Sequence, residues 1–292
     1  ETKILTSYGY FRKIGGLSSD FQKEKISFMD LNTGQKKYSN SILFLRKPAD
    51  NKILKIKTKC GEEIVLSEDH PLCIGQVFQK AGTLKQGDKI IIHPFTGVEY
   101  EDPSEGVILN EEDIAKLVGK RSKLINTLKK NELLPLRANS PKLAILARLV
   151  GFLTGDGHIT SYYSVKRKMD IWSTRIIGTP EDLEEVRKDF QQLGSEVNYT
   201  STKTYTSKIT DKEGMVRTFT GKSTQLYVNS QTLSVLLHAL GVPKGNKSRI
   251  EVTVPEWIKE SPLWLKRLYL AGLFGAELTK PLRRKNELYN FT

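Results

Sequence analysis

SPKLAILARLVGFLTGDG at residues 140–157 and SPLWLKRLYLAGLFGAEL at residues 261–278 are the two stretches that decide the fold. They align without a gap, 121 residues apart. Each starts with Ser-Pro, continues as an apolar run and ends in a small residue followed by a carboxylate. An internal repeat of this kind indicates two copies of one structural unit. We expect a helix in each copy, with Ser140 and Ser261 as N-caps and Pro141 and Pro262 at the first helical position.

The small residues of each copy predict a close contact between the two helices. Gly151 and Gly155 lie four residues apart and so share one helix face, and Gly272 and Ala276 repeat that spacing. Two such faces allow the helix backbones to approach one another unusually closely. One copy alone would favour an ordinary amphipathic helix, but two copies in register favour a shared interface.

Each predicted helix ends in a carboxylate, Asp156 in the first copy and Glu277 in the second. A negative charge near a helix C-terminus is unfavourable with the helix dipole, and two facing carboxylates repel each other. A divalent cation makes the same arrangement favourable. The repeat therefore predicts a metal site made jointly by the two helix ends.

The composition favours a polyanionic partner. The 292 residues include 46 Lys and Arg against 33 Asp and Glu, a net charge of +13, although simple solubility is an alternative reason for such an excess. Apolar runs fall short of the roughly 18 residues that a membrane span needs, and no basic run flanks an apolar anchor, so we expect no membrane partner. The two cysteines, which we expect to be small buried residues, suit a reducing interior, and we expect a cytoplasmic location.

The chain changes character near residue 100. Residues 1–100 read as β-structure, because short apolar stretches alternate with turn signals. These stretches are KILTSYGYF (3–11), SILFL (41–45), NKILKIKT (51–58), EEIVLS (62–67) and DKIIIHP (88–94). Residues 140–250 read as α-β-β-α-β-β-α, with Pro180 opening one helix and Gly241 ending another. Residues 251–292 contain the second repeat helix and a basic tail.

Residues 101–139 read as a linker followed by two short helices. The apolar spacing from Asn110 onward predicts helices that break at Gly119, with Asn110 as the N-cap of the first. The second helix is basic. Two interpretations remain open: a helix-turn-helix that touches DNA, and a hairpin whose basic face is merely solvated.

LVGFLTGDG (149–157) and LAGLFGAEL (270–278) resemble the two motifs of double-motif LAGLIDADG homing endonucleases. The second copy departs from the pattern, because it has Glu277 where many members have Asp and Leu278 in place of Gly. The resemblance implies an α+β fold of two αββαββα halves, in which the motif helices form the central interface and antiparallel sheets form a saddle over the DNA major groove. It also implies a monomer that cuts a long asymmetric site in double-stranded DNA, with Mg²⁺ or Mn²⁺ on Asp156 and Glu277.

Lys247 and the strands after the first motif are further candidates for that activity. Hydrolysis of a phosphodiester needs a nucleophilic water and neutralisation of charge at the leaving oxygen. Lys247 lies where similar proteins carry a core lysine near the metal; the alternative is a surface lysine in a loop. The candidate DNA contacts are Lys166, Arg167, Lys168, Trp172, Arg175, Lys203, Tyr205, Arg217, Lys222, Gln225 and Tyr227. Alternate residues on each strand would face the groove, but a one-residue slip reverses the set.

Beside such a nuclease, residues 1–100 resemble the first part of a Hint-type splicing domain. CGEEIVLSEDHPLCI (60–74) is similar to the second splicing motif, with Ser67 at its Thr position and His70 at its His position. The whole arrangement resembles the intein of archaeal RNA-splicing ligases. It implies an autocatalytic acyl shift on the flanks of a host protein, in which His70 acts on the scissile amide and Ser67 holds that peptide. The alternative for His70 is an ordinary loop histidine.

Two departures limit the expectation. The chain starts at Glu1 rather than Cys or Ser, and it stops at Thr292 without the His-Asn pair that ends similar inteins. We therefore expect a fragment or a degenerate copy, with an incomplete second half of the nuclease. The competing interpretations are a non-catalytic DNA-binding protein on the LAGLIDADG scaffold, a hedgehog-type autoprocessing domain, and a free-standing endonuclease with an unrelated β domain.

Overall fold

The chain forms two compact units, Glu1–Glu101 and Asp102–Thr292, in a computed structural model. The structure describes residues 2–19, 21–48, 52–92, 95, 97–119, 122–195, 198–210, 214–278, 283–284 and 287–288. Among the helices in these ranges, none has both the length and the apolar character needed to cross a bilayer.

The first unit is made of short strands, as the alternation of apolar stretches and turns predicts. Its strands are β1 Lys3–Leu5, β2 Tyr10–Lys13, β3 Lys25–Asp30, β4 Gln35–Asn40, β5 Ile53–Lys57, β6 Glu63–Ser67, β7 Pro71–Ile74, β8 Val77–Lys80 and β9 Val98–Glu99. Strands β1, β2 and β9 form one sheet, and β3–β4, β5–β6 and β7–β8 are antiparallel hairpins. Single turns of 3₁₀ helix follow β2 and β8.

Two of the predicted β-stretches in this unit are not strands. Residues 41–45 are irregular, and Ile42, Leu43 and Leu45 are solvent-exposed, with 91% of Ile42 and 68% of Leu43 accessible. Residues 88–92 are also irregular, although the Ile91 amide donates to the Cys73 carbonyl at 2.9 Å. Apolar side chains alone do not make a strand, because a strand also needs a neighbour for its backbone hydrogen bonds. His93 and Pro94, the end of the second stretch, lie outside the described residues.

The expectation that both cysteines are buried is also wrong. Cys60 is exposed and Cys73 is half-buried. Cys60 stands in the tight turn between β5 and β6, beside Gly61 with its positive φ of 92°. A turn of this kind projects its residues into solvent, whatever their hydrophobicity.

The second unit contains the predicted α-β-β-α-β-β-α order. Its elements are β10 Val107–Leu109, α1 Glu111–Val118, α2 Ser122–Lys130, β11 Leu136–Arg137, α3 Leu143–Asp156, β12 Gly157–Ser164, β13 Met169–Gly178, α4 Pro180–Gln192, β14 Asn198–Thr210, β15 Val216–Val228, α5 Gln231–Ala239, α6 Glu256–Glu260, α7 Leu263–Glu277, β16 Arg283–Arg284 and β17 Glu287–Leu288. Pro180 opens α4 as predicted, behind the Thr179 cap.

One antiparallel sheet, in the order β12-β13-β15-β14, dominates this unit. Helices α3, α4 and α5 lie against one of its faces. The side chains on that face are buried, among them Ile159, Ile176, Leu226 and Val228. Successive side chains of a strand alternate between faces, and those on the other face of the sheet are half-buried or exposed. We call this other face the open face.

The two short helices are part of the core of this unit rather than a detached linker. Asn110 caps α1 as predicted: its side chain accepts from the Asp113 amide, and Asp113 accepts from the Asn110 amide. Ile114 and Leu128 are fully buried, and both helices contact α5. Hydrophobic burial therefore positions this hairpin, and its exposed lysines lie on the opposite side.

The repeat helices start later than their Ser-Pro signals predict. Helix α3 begins at Leu143 with Lys142 as its N-cap, and α7 begins at Leu263 with Pro262 before it. The Ser261 hydroxyl does not cap α7, because it donates to the Trp257 carbonyl of α6 at 2.6 Å. The Ser140 hydroxyl accepts from the Lys142 amide in the turn before α3. The prediction that Ser140 and Ser261 are the N-caps is therefore wrong.

Candidate metal centre and nucleic-acid interface

Helices α3 and α7 meet backbone to backbone, as the matched small residues predict. A Cβ placed on Gly151 would lie 2.0 Å from the Tyr269 carbonyl oxygen, and one on Gly272 would lie 2.2 Å from the Arg148 carbonyl oxygen. Neither position has room for any side chain. The two helices are therefore fixed in a register that places their C-terminal ends side by side.

That register brings Asp156 and Glu277 together. Asp156 is the last residue of α3, and a Cβ built on the neighbouring Gly155 would come within 3.1 Å of Glu277 Oε1. Burial raises the pKa of Asp156, the negative charge of Glu277 raises it further, and Lys247 lowers it. Of the two carboxylates predicted to share a metal, Glu277 is therefore close enough to affect the pKa of Asp156.

Lys247 binds the end of α3 from a distant part of the sequence. Its ammonium donates to the carbonyl oxygens of Leu153 at 2.9 Å, Thr154 at 2.8 Å and Gly155. The Leu153 carbonyl also accepts from the Gly157 amide, whereas those of Thr154 and Gly155 are carbonyls that a helix end leaves without intrahelical partners, so Lys247 caps α3. Burial lowers the pKa of Lys247, and the nearby Glu277 and Asp156 raise it.

This contact argues against the interpretation of Lys247 as a surface lysine in a loop. The residue is half-buried and bonded at the candidate centre, so it is not a free surface lysine. Since an ammonium has three N–H groups, all of its donors go to backbone carbonyls. Its role in this arrangement is to hold the segment that carries Asp156.

The donor set fits a cation that is completed by its substrate. Within the described residues, no group of three or more His, Cys, Asp or Glu side chains could hold a metal ion. Mg²⁺ commonly uses only one or two protein carboxylates, with waters and substrate phosphate oxygens in its other positions. A groove beside the carboxylates is lined by Glu277, Lys247, Thr154, Thr253, Tyr269 and the apolar side chains of Val252, Val254 and Leu273.

A row of side chains crosses the open face away from this centre. The strand register pairs His158 with Arg175, Arg175 with Tyr227, and Tyr227 with Tyr199, so the row spans all four strands. His158 stands two residues after Asp156, which starts the row at the candidate metal centre. The sequence analysis does not predict His158 as a site residue. The only signal for it in the sequence is its position two residues after Asp156. Burial lowers its pKa, as do the nearby charges of Arg175 and Lys247.

The register sorts the candidate DNA contacts. The positions on the open face are Arg175, Lys203, Tyr205, Arg217, Gln225 and Tyr227. Lys166, Arg167 and Lys168 are exposed in the turn between β12 and β13, and Lys222 is exposed on the other side of the β14–β15 ribbon. Along the described strands, the open-face positions carry neither Asp nor Glu, which favours contact with phosphate.

Trp172 does not belong to this surface, and its assignment as a DNA contact is wrong. Only 3% of Trp172 is exposed, and it shares its sheet face with the buried Thr174 and Ile176. Its ring lies 5.4 Å from that of His238, and the Lys244 ammonium lies 4.6 Å from its centroid. The alternation of the strand turns the indole into the core.

In the first unit, Ser67 and His70 lie in one tight turn. Ser67 ends β6 and His70 precedes β7, and the His70 amide donates to the Ser67 carbonyl at 3.1 Å. The segment after β8 anchors this turn, because the Gly82 amide donates to Glu68 and the Ala81 amide donates to His70. The side chain of His70 is exposed and that of Ser67 is half-buried.

Comparison with known proteins finds similar segments inside much longer archaeal chains. The chain is 34% identical over 285 residues to the tRNA-splicing ligase RtcB of Pyrococcus furiosus, which covers 94% of this chain and 27% of the ligase. It is 36% identical over 242 residues to the DNA-directed RNA polymerase subunit Rpo1N of Methanocaldococcus jannaschii, covering 80% of this chain and 17% of the subunit. It is 35% identical over 144 residues to the replication factor C small subunit of the same organism, which covers 49% of this chain and 7% of that subunit. No established protein-family profile matches the sequence.

These matches have one feature in common. The chain spans about a quarter or less of the length of each relative. The names of the three relatives denote different activities. This chain is therefore similar to a segment that occurs within archaeal proteins of different function.

Proposed function

We propose that this chain is part of an intein that carries a LAGLIDADG homing endonuclease, which hydrolyses double-stranded DNA with Mg²⁺ or Mn²⁺. The observation that carries the proposal is the α3–α7 contact, because it brings Asp156 and Glu277 together at two helix ends. Stability does not explain that arrangement, since the helix dipoles and the mutual repulsion both oppose it. A site for a divalent cation explains it.

The residues around the centre have separate tasks in this proposal. Asp156 and Glu277 hold the cation, which when bound activates a water and neutralises charge at the scissile phosphate. Lys247 holds the C-terminal carbonyls of α3 and thereby positions Asp156. Gly151 and Gly272 keep the two helix ends at a fixed separation. The cations of the open face bind the DNA backbone.

The internal repeat supports a second sheet over α7. Leu149 and Leu153 of α3 are fully buried against the first sheet and its helices, whereas their repeat partners Leu270 and Phe274 are 40% and 49% exposed. Exposed apolar residues that correspond to buried ones mark a surface that a matching element covers. A second αββαββα half over α7 would complete the pseudo-symmetric nuclease that the LAGLIDADG resemblance implies.

The comparisons support an inserted element. A ligase, a polymerase subunit and a replication factor have no common activity that a shared segment could serve. A self-splicing insert that removes itself from each host explains its presence in all three. Since the ligase match covers 94% of the chain, we propose an archaeal tRNA-splicing ligase as the host.

This proposal can be tested with the uninterrupted host gene as substrate. A homing endonuclease cuts the gene copy that lacks the insert, so the full-length element should linearise a plasmid carrying the continuous ligase coding sequence at the insertion point when Mg²⁺ is present. A plasmid with the insert in place should stay intact. If both plasmids are bound but neither is cut, the non-catalytic DNA-binding alternative is correct.

We expect DNA binding to reside in the second unit and to weaken steeply with salt. Thirty of the 46 Lys and Arg residues and 21 of the 33 Asp and Glu residues lie in 102–292, so nine of the thirteen excess positive charges are there. The logarithm of the affinity should fall with the logarithm of salt concentration by about 0.9 for each neutralised phosphate.

A pair of variants tests the location of these contacts. Lys203→Gln, on the open face, should reduce the salt slope by about 0.9. Lys259→Gln is the control, because Lys259 is exposed on α6 and paired with Glu256 at 2.9 Å. Fluorescence anisotropy at several salt concentrations measures both slopes. Equal slopes for the two variants would contradict an open-face binding site.

For the first unit, we propose that the Ser67–His70 turn acts in splicing. An exposed imidazole held in an anchored turn can protonate the nitrogen of a scissile amide, and the Ser67 side chain can bind the same peptide. The small core of this unit, with Tyr10, Leu17 and Leu66 as its main buried residues, supports a fold that further strands complete.

His70→Ala should slow splicing of the full precursor by about a hundredfold or more, because the amide loses its general acid. Gel analysis of the precursor, the excised element and the ligated host measures the effect over time. The control is His158→Ala, which alters the other unit and should splice at the normal rate. Equal splicing by His70→Ala and the unmodified precursor would identify His70 as an ordinary loop histidine.

A further inference from the structure

Gln225 and Tyr227 form a locked pair on the open face. They lie two residues apart on β15 and so point to the same side of the sheet. The Tyr227 hydroxyl donates to Gln225 Oε1 at 2.8 Å. The ring of Tyr227 stacks on Tyr199 of the adjacent strand, with centroids 4.9 Å apart and an angle of 8° between the planes. The stacked ring thus fixes the hydroxyl that holds the amide oxygen.

The lock determines which end of the Gln225 amide remains for a ligand. A glutamine side chain offers one acceptor oxygen and an NH₂ group with two donors. Tyr227 holds the oxygen through one of its two acceptor positions, so the NH₂ group is the end with both of its hydrogen-bonding positions available. Across the sheet, the register partners of Gln225 are Ile177 and Ser201, neither of which is charged. The position therefore presents hydrogen-bond donors from a neutral setting.

We propose that Gln225, held by Tyr227, selects guanine at one position of the bound DNA. In the major groove, guanine presents two acceptors, N7 and O6, whereas adenine presents one acceptor and one donor. A free glutamine suits adenine, because it supplies the complementary donor and acceptor together. A glutamine whose oxygen is held by Tyr227 and whose NH₂ group is available favours guanine. This inference rests on the proposed function, since it needs DNA on the open face.

Binding selection from a pool of randomised duplexes tests the inference with the full chain. The unmodified chain should enrich guanine at one position. Tyr227→Phe frees the amide oxygen, so the guanine-to-adenine ratio at that position should fall by about fivefold or more, while the other positions stay unchanged. Gln225→Glu replaces the donors with acceptors and should move the preference to cytosine, whose N4 amino group is a donor. Ser201→Ala, in the same row, is the control and should keep guanine.

The outcomes separate this inference from the function on which it rests. If the unmodified chain and Tyr227→Phe enrich the same base to the same degree, the lock does not set specificity, although DNA binding stands. If Gln225→Glu keeps guanine, the base is read by another residue and the inference is wrong. If the unmodified chain binds no duplex, the proposed function fails, and this inference fails with it. Thermal unfolding of each variant verifies that the fold is retained.

Discussion

Asp156→Asn and Glu277→Gln, each made in the full-length element, are expected to slow DNA cleavage by about three orders of magnitude, while binding changes little. Either change leaves a single carboxylate to hold the cation, and the stabilisation that the cation gives to the transition state is lost. The DNA contacts on the open face are untouched. Single-turnover cleavage with Mg²⁺ measures the rate, and a gel-shift assay without Mg²⁺ measures the affinity.

Asp170→Asn is the matched control for these variants. Asp170 is an exposed carboxylate on β13, close to the β12–β13 turn and outside the candidate centre. The Asp170→Asn variant should cut DNA at the normal rate. If Asp156→Asn or Glu277→Gln cuts DNA at the normal rate with Mg²⁺, the assignment of these two carboxylates as metal ligands is wrong.

Thermal unfolding gives a second test that does not depend on activity. The pKa of Asp156 in the folded chain lies above its ordinary value, so ionised Asp156 destabilises the folded state at neutral pH when no cation is bound. In EDTA, Asp156→Asn should therefore be at least as stable as the unmodified chain. Mg²⁺ should raise the melting temperature of the unmodified chain only. A marked loss of stability in EDTA would indicate a structural carboxylate instead.

Gly151→Ala and Gly272→Ala are expected to lower the free energy of unfolding by about 3 kcal/mol each. The added methyl group would lie 2.0 Å from the Tyr269 carbonyl oxygen in the first variant and 2.2 Å from the Arg148 carbonyl oxygen in the second. Both obstacles are backbone atoms of the opposite helix, so relief requires a shift of a whole helix. The same shift would move Asp156 away from Glu277 and impair cleavage.

Gly275→Ala provides a control within the same helix. A Cβ at Gly275 meets no atom within 4 Å, and the residue is exposed in α7. Because alanine favours a helix over glycine, this variant should gain about 0.5–1 kcal/mol. Urea unfolding of all three variants measures the difference. If the three unfold at the same urea concentration, the close helix contact does not exist.

The local order of the second unit could be predicted from the sequence because its signals lie within short windows. The apolar periodicity and Gly119 predict two helices, and Asn110 is confirmed as the N-cap of the first. The repeat predicts the α3–α7 contact and the meeting of Asp156 with Glu277, since matched spacings in two copies define matching helix faces. In the first unit, the sequence shows which stretches are apolar but not which of them find a neighbouring strand. The prediction of a strand at residues 41–45 is wrong for that reason.

The tertiary structure alone decided which sheet face is open and what surrounds the metal centre. A one-residue slip along β13 would exchange Trp172 and Arg175 between the two faces, and only packing against the helices selects the register that buries the indole. Lys247 lies 92 residues from Gly155, the nearest in sequence of the three residues whose carbonyls it binds. A local sequence pattern cannot predict a contact between residues so far apart in the chain. The contact depends on how the sheet and the helices pack together.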